Sequence, residues 1–143
     1  MREIEFRGKN IETGEWRYGS LIQCCSGKTY IFESGDSANE SEKVGMEGCL
    51  AIFTFEVIPE TVGQFIGLKY ATMIFEGDIV RFWNTEGQEY IKVILWDDKY
   101  LCYNIGNMSY QTIFDSPFFQ PSEVRLEVIG NIHDNPELLK ERL

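Results

Sequence analysis

The chain is poor in the side chains that carry most enzyme chemistry: among its 143 residues it has one histidine, four cysteines and four prolines. A Ser/His/Asp or Cys/His constellation would have to rest on His133 alone. Its neighbour Asp134 would point away from it on an extended chain, so a structural or exposed histidine is expected. Cys24, Cys25, Cys49 and Cys102 form no Cys-x-x-Cys pair, and neither a His-x-x-x-His helix nor a calcium loop is present, so no metal site is expected. No Gly-x-Gly-x-x-Gly or Walker loop occurs, which leaves a nucleotide cofactor without a motif. No catalytic, cofactor-binding or metal-binding residue is assigned on these grounds.

Long apolar runs are also missing. No stretch is long enough to span a bilayer, and the opening Met1 to Phe6 has no apolar signal region, so cytoplasmic residence with reduced thiols is the expectation. Positive charge is scarce, with 13 Lys and Arg against 23 Asp and Glu and a formal net charge of -10. A chain of that charge repels phosphate backbones and anionic lipid, so neither membrane binding nor direct nucleic-acid binding is expected. The densest positive group, Arg2, Arg7, Lys9 and Arg17, is interleaved with Glu3, Glu5, Glu12 and Glu15 and reads as a mixed, solvated strand face.

What is present is the material of strands: 43% hydrophobic and 14% aromatic residues, in short runs separated by turn signals. Ile4 and Phe6 alternate with Glu3, Glu5 and Arg7 as a half-buried strand ending at Gly8, followed by a strand from Trp16 to Ile22 and a third from Thr29 to Glu33. Ser34 to Gly48 is polar and is expected to be a mobile loop, and Cys49 to Ile58 reads as a buried strand stopped by Pro59. The junction Thr61 to Arg81 is punctuated by Gly63, Gly67 and Gly77-Asp78, positions expected to need positive φ, close backbone approach or a turn. Ile79 to Asn84, Glu89 to Trp96 and Tyr100 to Ile105 predict a three-stranded meander, and Glu123 to Ile129 a last strand. Asn135-Pro136 is an N-cap followed by proline at the first position of a short terminal helix. Trp83 and Trp96 are expected to face each other across the hairpin and are candidate interface residues.

Four blocks then stand out together. Glu5-Phe6-Arg7-Gly8-Lys9 with Thr13-Gly14-Glu15-Trp16 and Tyr18-Gly19; Glu60-Thr61-Val62-Gly63-Gln64-Phe65 with Gly67-Leu68; Ile74-Phe75-Glu76-Gly77-Asp78-Ile79-Val80; and Val128-Ile129-Gly130-Asn131-Ile132 with Asp134-Asn135-Pro136-Glu137-Leu138-Leu139 run the length of the chain in order. Together they resemble the YopX family of phage and prophage proteins. The resemblance implies a mostly β, barrel-like fold, assembly into homo-oligomers and no established activity, so it carries no catalytic set. The family's polar hairpin after Gly-Leu-Lys is replaced here by Tyr70-Ala71-Thr72-Met73, which makes Tyr70 and Met73 candidate subunit-contact residues, with Phe75 covered by the same neighbour.

The expectation is a mainly β, barrel-like chain of antiparallel hairpins with a short C-terminal helix. An N-terminal part, 1–59, and a C-terminal part, 60–143, the latter a small SH3-like barrel, are packed as one unit. The expected function is non-enzymatic, through contacts with itself and with a host or phage protein. The alternative is a nucleic-acid-associated role, by strand binding or as an acidic mimic of DNA that occupies a host protein.

Overall fold

The computed structural model describes residues 3–33, 53–70, 72–83, 86–106, 108–109 and 126–140, and of residues 68–70, 108–109 and 140 the backbone only. The expected loop from Ser34 to Gly48 lies outside the described residues. The chain is mainly β, its strands arranged in antiparallel sheets, and it divides into two compact units, Met1–Phe65 and Ile66–Leu143.

The amino-terminal unit contains β1 (Phe6–Lys9), β2 (Trp16–Gln23), β3 (Thr29–Phe32) and β4 (Thr54–Val57), then a 3₁₀ turn at Pro59–Thr61 and the start of β5 (Gly63–Tyr70). The strand order is β4-β3-β2-β1-β5. Asn10 sets the first connection: its side-chain oxygen accepts the amides of Glu12 at 2.8 Å and Thr13 at 3.3 Å, an Asx turn that returns the chain through Gly14 at φ +72°. Ile31, Val57 and Phe65 are buried. Thr61 ties the 3₁₀ turn to β1, its hydroxyl donating to the Ile58 carbonyl at 2.6 Å while accepting the Lys9 amide at 2.9 Å.

One expectation for β1 is reversed. Arg7 was expected on the solvated face, but only 6% of it is exposed. The register is the reason: Lys9 lies opposite Trp16, so Arg7, two residues back, shares that face, and its guanidinium sits 4.6 Å over the Trp16 ring. Gly8, on the other face, abuts Val57, whose Cγ2 would lie 2.9 Å from any added Cβ. Ile4 is 64% exposed and precedes the strand.

The carboxy-terminal unit continues from β5 through β6 (Thr72–Phe75), β7 (Asp78–Trp83), β8 (Glu89–Asp97), β9 (Cys102–Ile105), β10 (Met108–Ser109), β11 (Leu126–Asn131) and a helix, α1 (Glu137–Lys140). The second sheet runs β10-β9-β8-β7-β11, and all its pairings are antiparallel. The β7–β8–β9 meander is therefore observed. Among the described residues no pairing joins β10 to β11 and closes the sheet into a barrel. Ile74, Val80, Phe82, Ile94, Ile105 and Leu126 form one buried cluster, against which Ile66, Tyr90, Tyr103 and Val128 pack. Phe82 and Tyr90 stack with centroids 5.3 Å apart, and full burial of a side chain the size of Phe82 contributes about 1.5–3 kcal/mol.

Two further expectations are corrected. The turn after β7 places Trp83 opposite Glu89, whereas Trp96 lies opposite Tyr103 of β9, so the two tryptophans do not face each other. They are separated along β8 by about seven residues at roughly 3.4 Å each. Asn135 precedes α1 as expected, but its side-chain oxygen faces backward and accepts the Asn131 amide at 3.4 Å.

The glycines of the four sequence blocks separate into those that need φ and those that need space. Any Cβ at Gly130 would lie 2.6 Å from Asn135 Oδ1 and 3.0 Å from its Cβ, and one at Gly19 would overlap the Phe32 backbone carbonyl. Replacing either by Ala is expected to cost about 2–3 kcal/mol, as overpacking against groups that cannot rotate away. Gly14→Ala, where nothing lies within 4 Å but φ is +72°, is expected to cost only about 1 kcal/mol. Urea unfolding of the three variants tests this ordering.

Candidate functional site

The junction that punctuates the sequence becomes one tight turn between β6 and β7. Ile74 and Phe75 are apolar and buried, so the chain must reverse inside the unit with its polar backbone satisfied. Asp78, 2% exposed, does this with Oδ2, which accepts the Phe75 amide at 2.8 Å. Gly77 adopts φ +90°; its amide donates to the Ile94 carbonyl at 2.7 Å and its carbonyl accepts the Ile132 amide at 2.9 Å. Gly67 likewise has a positive φ, of +90°, whereas Gly63 is an ordinary strand residue paired with Arg7.

Asn131 performs the same service for the turn after β11. Its side-chain oxygen accepts the His133 amide at 3.0 Å and the Asp134 amide at 2.9 Å, while its Nδ2 donates to Asp134 Oδ2 at 3.0 Å. His133 thus belongs to a turn organised by Asn131. Its half-buried ring passes beside the Gly77 backbone, Nε2 lying 3.8 Å from where a Cβ there would be.

A cleft of about 520 Å³ opens where β8 turns into β9, lined by Leu95, Trp96, Asp97, Asp98, Lys99, Asn104 and Gly106. The turn is built by Asp97: Oδ1 accepts the amides of Lys99 at 2.8 Å and Tyr100 at 3.2 Å, and Oδ2 accepts Asn104 Nδ2 at 2.7 Å. The Tyr100 amide first, then those of Lys99 and Asn104, hold the Asp97 carboxyl below the ordinary aspartate range. Glu76, from the neighbouring turn, moves the other way, its pKa raised by burial and further by the charge of Asp98. Trp96 is 43% exposed, donates Nε1 to Asp98 Oδ1 at 2.9 Å and meets Tyr103 edge-on at 5.0 Å. At the tip, Tyr100 is 68% and Leu101 73% exposed, and Leu101 has a positive φ of +52°.

The residues singled out from sequence lie on four different strands. Tyr70 is the last residue of β5, its side chain outside the described residues; Met73 is half-buried on β6; Trp83 ends β7 with the Arg81 guanidinium 5.4 Å over its ring; Trp96 lines the cleft. Phe75, expected to be covered by a neighbour, is 3% exposed within the chain itself. Leu95, Tyr100 and Leu101 were not singled out. The available signal was the pairing Tyr100-Leu101 in a turn, where glycine or asparagine is the ordinary choice for positive φ.

Chemically, two neighbouring carboxylates shifted in opposite directions would suit acid and base roles, but Asp97 spends both oxygens on the turn. Arg81 is held between Glu127, to which Nε donates at 2.6 Å, and Glu89 at 3.7 Å. Among the described residues, no three His, Cys, Asp or Glu side chains are grouped to hold a metal ion, and no helix is long and apolar enough to cross a membrane. What the cleft presents is the Trp96 indole, the Leu95 side chain, two aspartates and Lys99, with Tyr100 and Leu101 exposed at the tip of the turn.

The Glu76 environment has a measurable consequence. A raised folded-state pKa means that the stability Glu76 contributes is fully present below its unfolded value, near 4.5, and is lost as pH rises through the folded value. Glu76→Gln is therefore expected to melt higher than the parent chain at pH 7, the difference shrinking as pH falls toward 4.5. A difference that stays constant with pH, or grows on acidification, contradicts the assignment.

A search of curated proteins returns no match. The profile of one protein family, described as YopX protein, matches residues 5–140, which includes the Gly77-Asp78 turn, the cleft and the Asn131 turn. With nearly its whole length matched, the chain belongs to the YopX family.

Proposed function

We propose that this chain is a phage- or prophage-encoded, cytoplasmic and non-enzymatic protein that acts through protein contacts as a homo-oligomer, its carboxy-terminal unit a small barrel-like body. The observation that carries the reading is the distribution of exposed apolar side chains. Of the seven large hydrophobic residues exposed among the described residues, Leu95, Trp96, Tyr100 and Leu101 lie on one hairpin. A folded chain gains nothing by leaving an indole and three apolar tips in water, and aromatic residues are those most enriched at binding hot spots. The polar groups nearby are engaged in turns and ion pairs, which supports contact rather than chemistry. The barrel-like reading rests on a five-stranded antiparallel sheet wrapped on one apolar cluster.

Direct strand binding is the weaker alternative. Arg7 and Lys9 lie over Trp16, at 4.6 and 5.4 Å, and Arg17 lies 4.0 Å over Phe55 and 3.4 Å from Glu33, so these three cations are already engaged. Acidic mimicry of DNA is favoured by the net charge of -10 alone.

Light scattering on the purified chain is expected to give a mass that is a multiple of 16.6 kDa at micromolar concentration. The Tyr70→Ser, Met73→Ser double variant is expected to lower that mass. A strictly monomeric parent overturns the oligomer clause, and an unchanged assembly in the variant overturns the placement at β5–β6.

A further inference from the structure

The hairpin end of β8–β9 has three properties that together specify a partner. The first is a protruding apolar tip. The face of β8 and β9 that carries the buried pair Ile94 and Ile105 continues outward as Trp96 opposite Tyr103, so the apolar stripe outruns the core and its last indole is 43% exposed. Beyond it stand Tyr100 and Leu101, 68% and 73% exposed. The second is backbone cost. Leu101 occupies φ +52°, a region that non-glycine residues avoid and that Asn or Gly would fill more comfortably. Folding of the turn is already secured by Asp97 and Asn104, so folding does not call for leucine at this position.

The third is charge. Asp97 and Asp98 line the cleft beside Trp96, and Asp98 acts electrostatically on Glu76 of the neighbouring turn. The cation in the cleft lining, Lys99, sits 5.1 Å over the Tyr100 ring. An apolar anchor framed by carboxylates matches a segment with apolar and cationic side chains side by side and repels phosphate-rich and acidic surfaces.

We infer that the β8–β9 hairpin end is the docking tip for a basic segment of a partner protein, one that seats an apolar residue against Trp96, Tyr100 and Leu101 and pairs lysine or arginine with Asp98. This rests on the reading of the chain as a binding protein and adds the chemistry of the partner. It is separate from the β5–β6 contact between copies.

The test uses the full chain and a fluorescein-labelled heptapeptide alternating lysine and leucine, followed by anisotropy. Two control peptides replace every lysine by glutamate or every leucine by serine. Saturable binding of the lysine–leucine peptide is expected, weakening with added salt, and both controls should bind at least about tenfold more weakly. Tyr100→Ser with Leu101→Ser, and separately Asp98→Asn, should each weaken binding by about tenfold or more. Leu101→Asn should weaken binding while raising the melting temperature, which separates a docking role from a folding one. Light scattering on the same variants should show the parent mass.

Absent binding of the lysine–leucine peptide overturns the inference, as does equal binding of the glutamate control or indifference to the tip variants. A fall in oligomeric mass in Tyr100→Ser, Leu101→Ser overturns it in favour of a second copy at this tip. A monomeric parent that still binds the peptide through the tip leaves the inference standing and removes only the oligomer clause of the function.

Discussion

The hydrogen bond from the Phe75 amide to Asp78 Oδ2, 2.8 Å long and closed inside a side chain only 2% exposed, is the constraint on which the carboxy-terminal unit depends. It lets β6 end and β7 begin within two residues while Ile74, Phe75, Ile79 and Val80 on either side stay buried. Gly77, between them, uses its freed backbone to reach two other places at once, the Ile94 carbonyl of β8 and the Ile132 amide after β11. The turn thus fixes the end of β6 and the start of β7 against the interior of β8 and the residue that follows β11. A side chain at Gly77 would also have to adopt φ +90°, so the turn leaves little latitude in sequence.

The same logic runs through the other blocks that carry the family resemblance. Gly8 admits Val57, Gly19 admits the Phe32 carbonyl, Gly130 admits Asn135, and Asn131 closes the final turn with its own carboxamide. Motifs of this kind are architectural. They record where backbones approach closely or reverse, and their spacing along the chain follows strand length. The blocks that carry the family resemblance thus mark close approaches and reversals, and the β8–β9 tip lies between them.

The strands and the meander were legible because apolar runs and turn residues act locally, as in Ile79 to Asn84 followed by the Glu89 to Trp96 return; the burial of neighbours such as Ile79 and Val80 on both faces of β7 was not. The glycines were legible as marks, but what each one meets, such as Val57 at Gly8 or the Phe32 carbonyl at Gly19, depends on how separate segments are brought together. Arg7 was misplaced for a related reason: its burial depends on Trp16 lying across the ladder, which alternation within β1 does not reveal. The pairing of Trp83 with Trp96 failed because register is set by the turn, which put Glu89 opposite Trp83. The exposed β8–β9 tip was illegible because exposure at Tyr100 and Leu101 depends on where the core stops, a property of the sheet and not of the residues.

The carboxy-terminal unit therefore depends on the Asp78 turn. The direct measurement is the unfolding free energy of Asp78→Ala by urea titration, set beside Asp98→Ala at an exposed position. Leaving a buried amide without its acceptor, and opening space beside it, predicts a loss of about 2–4 kcal/mol for Asp78→Ala and less than about 0.5 kcal/mol for Asp98→Ala. Equal stabilities for Asp78→Ala and the parent chain would contradict it.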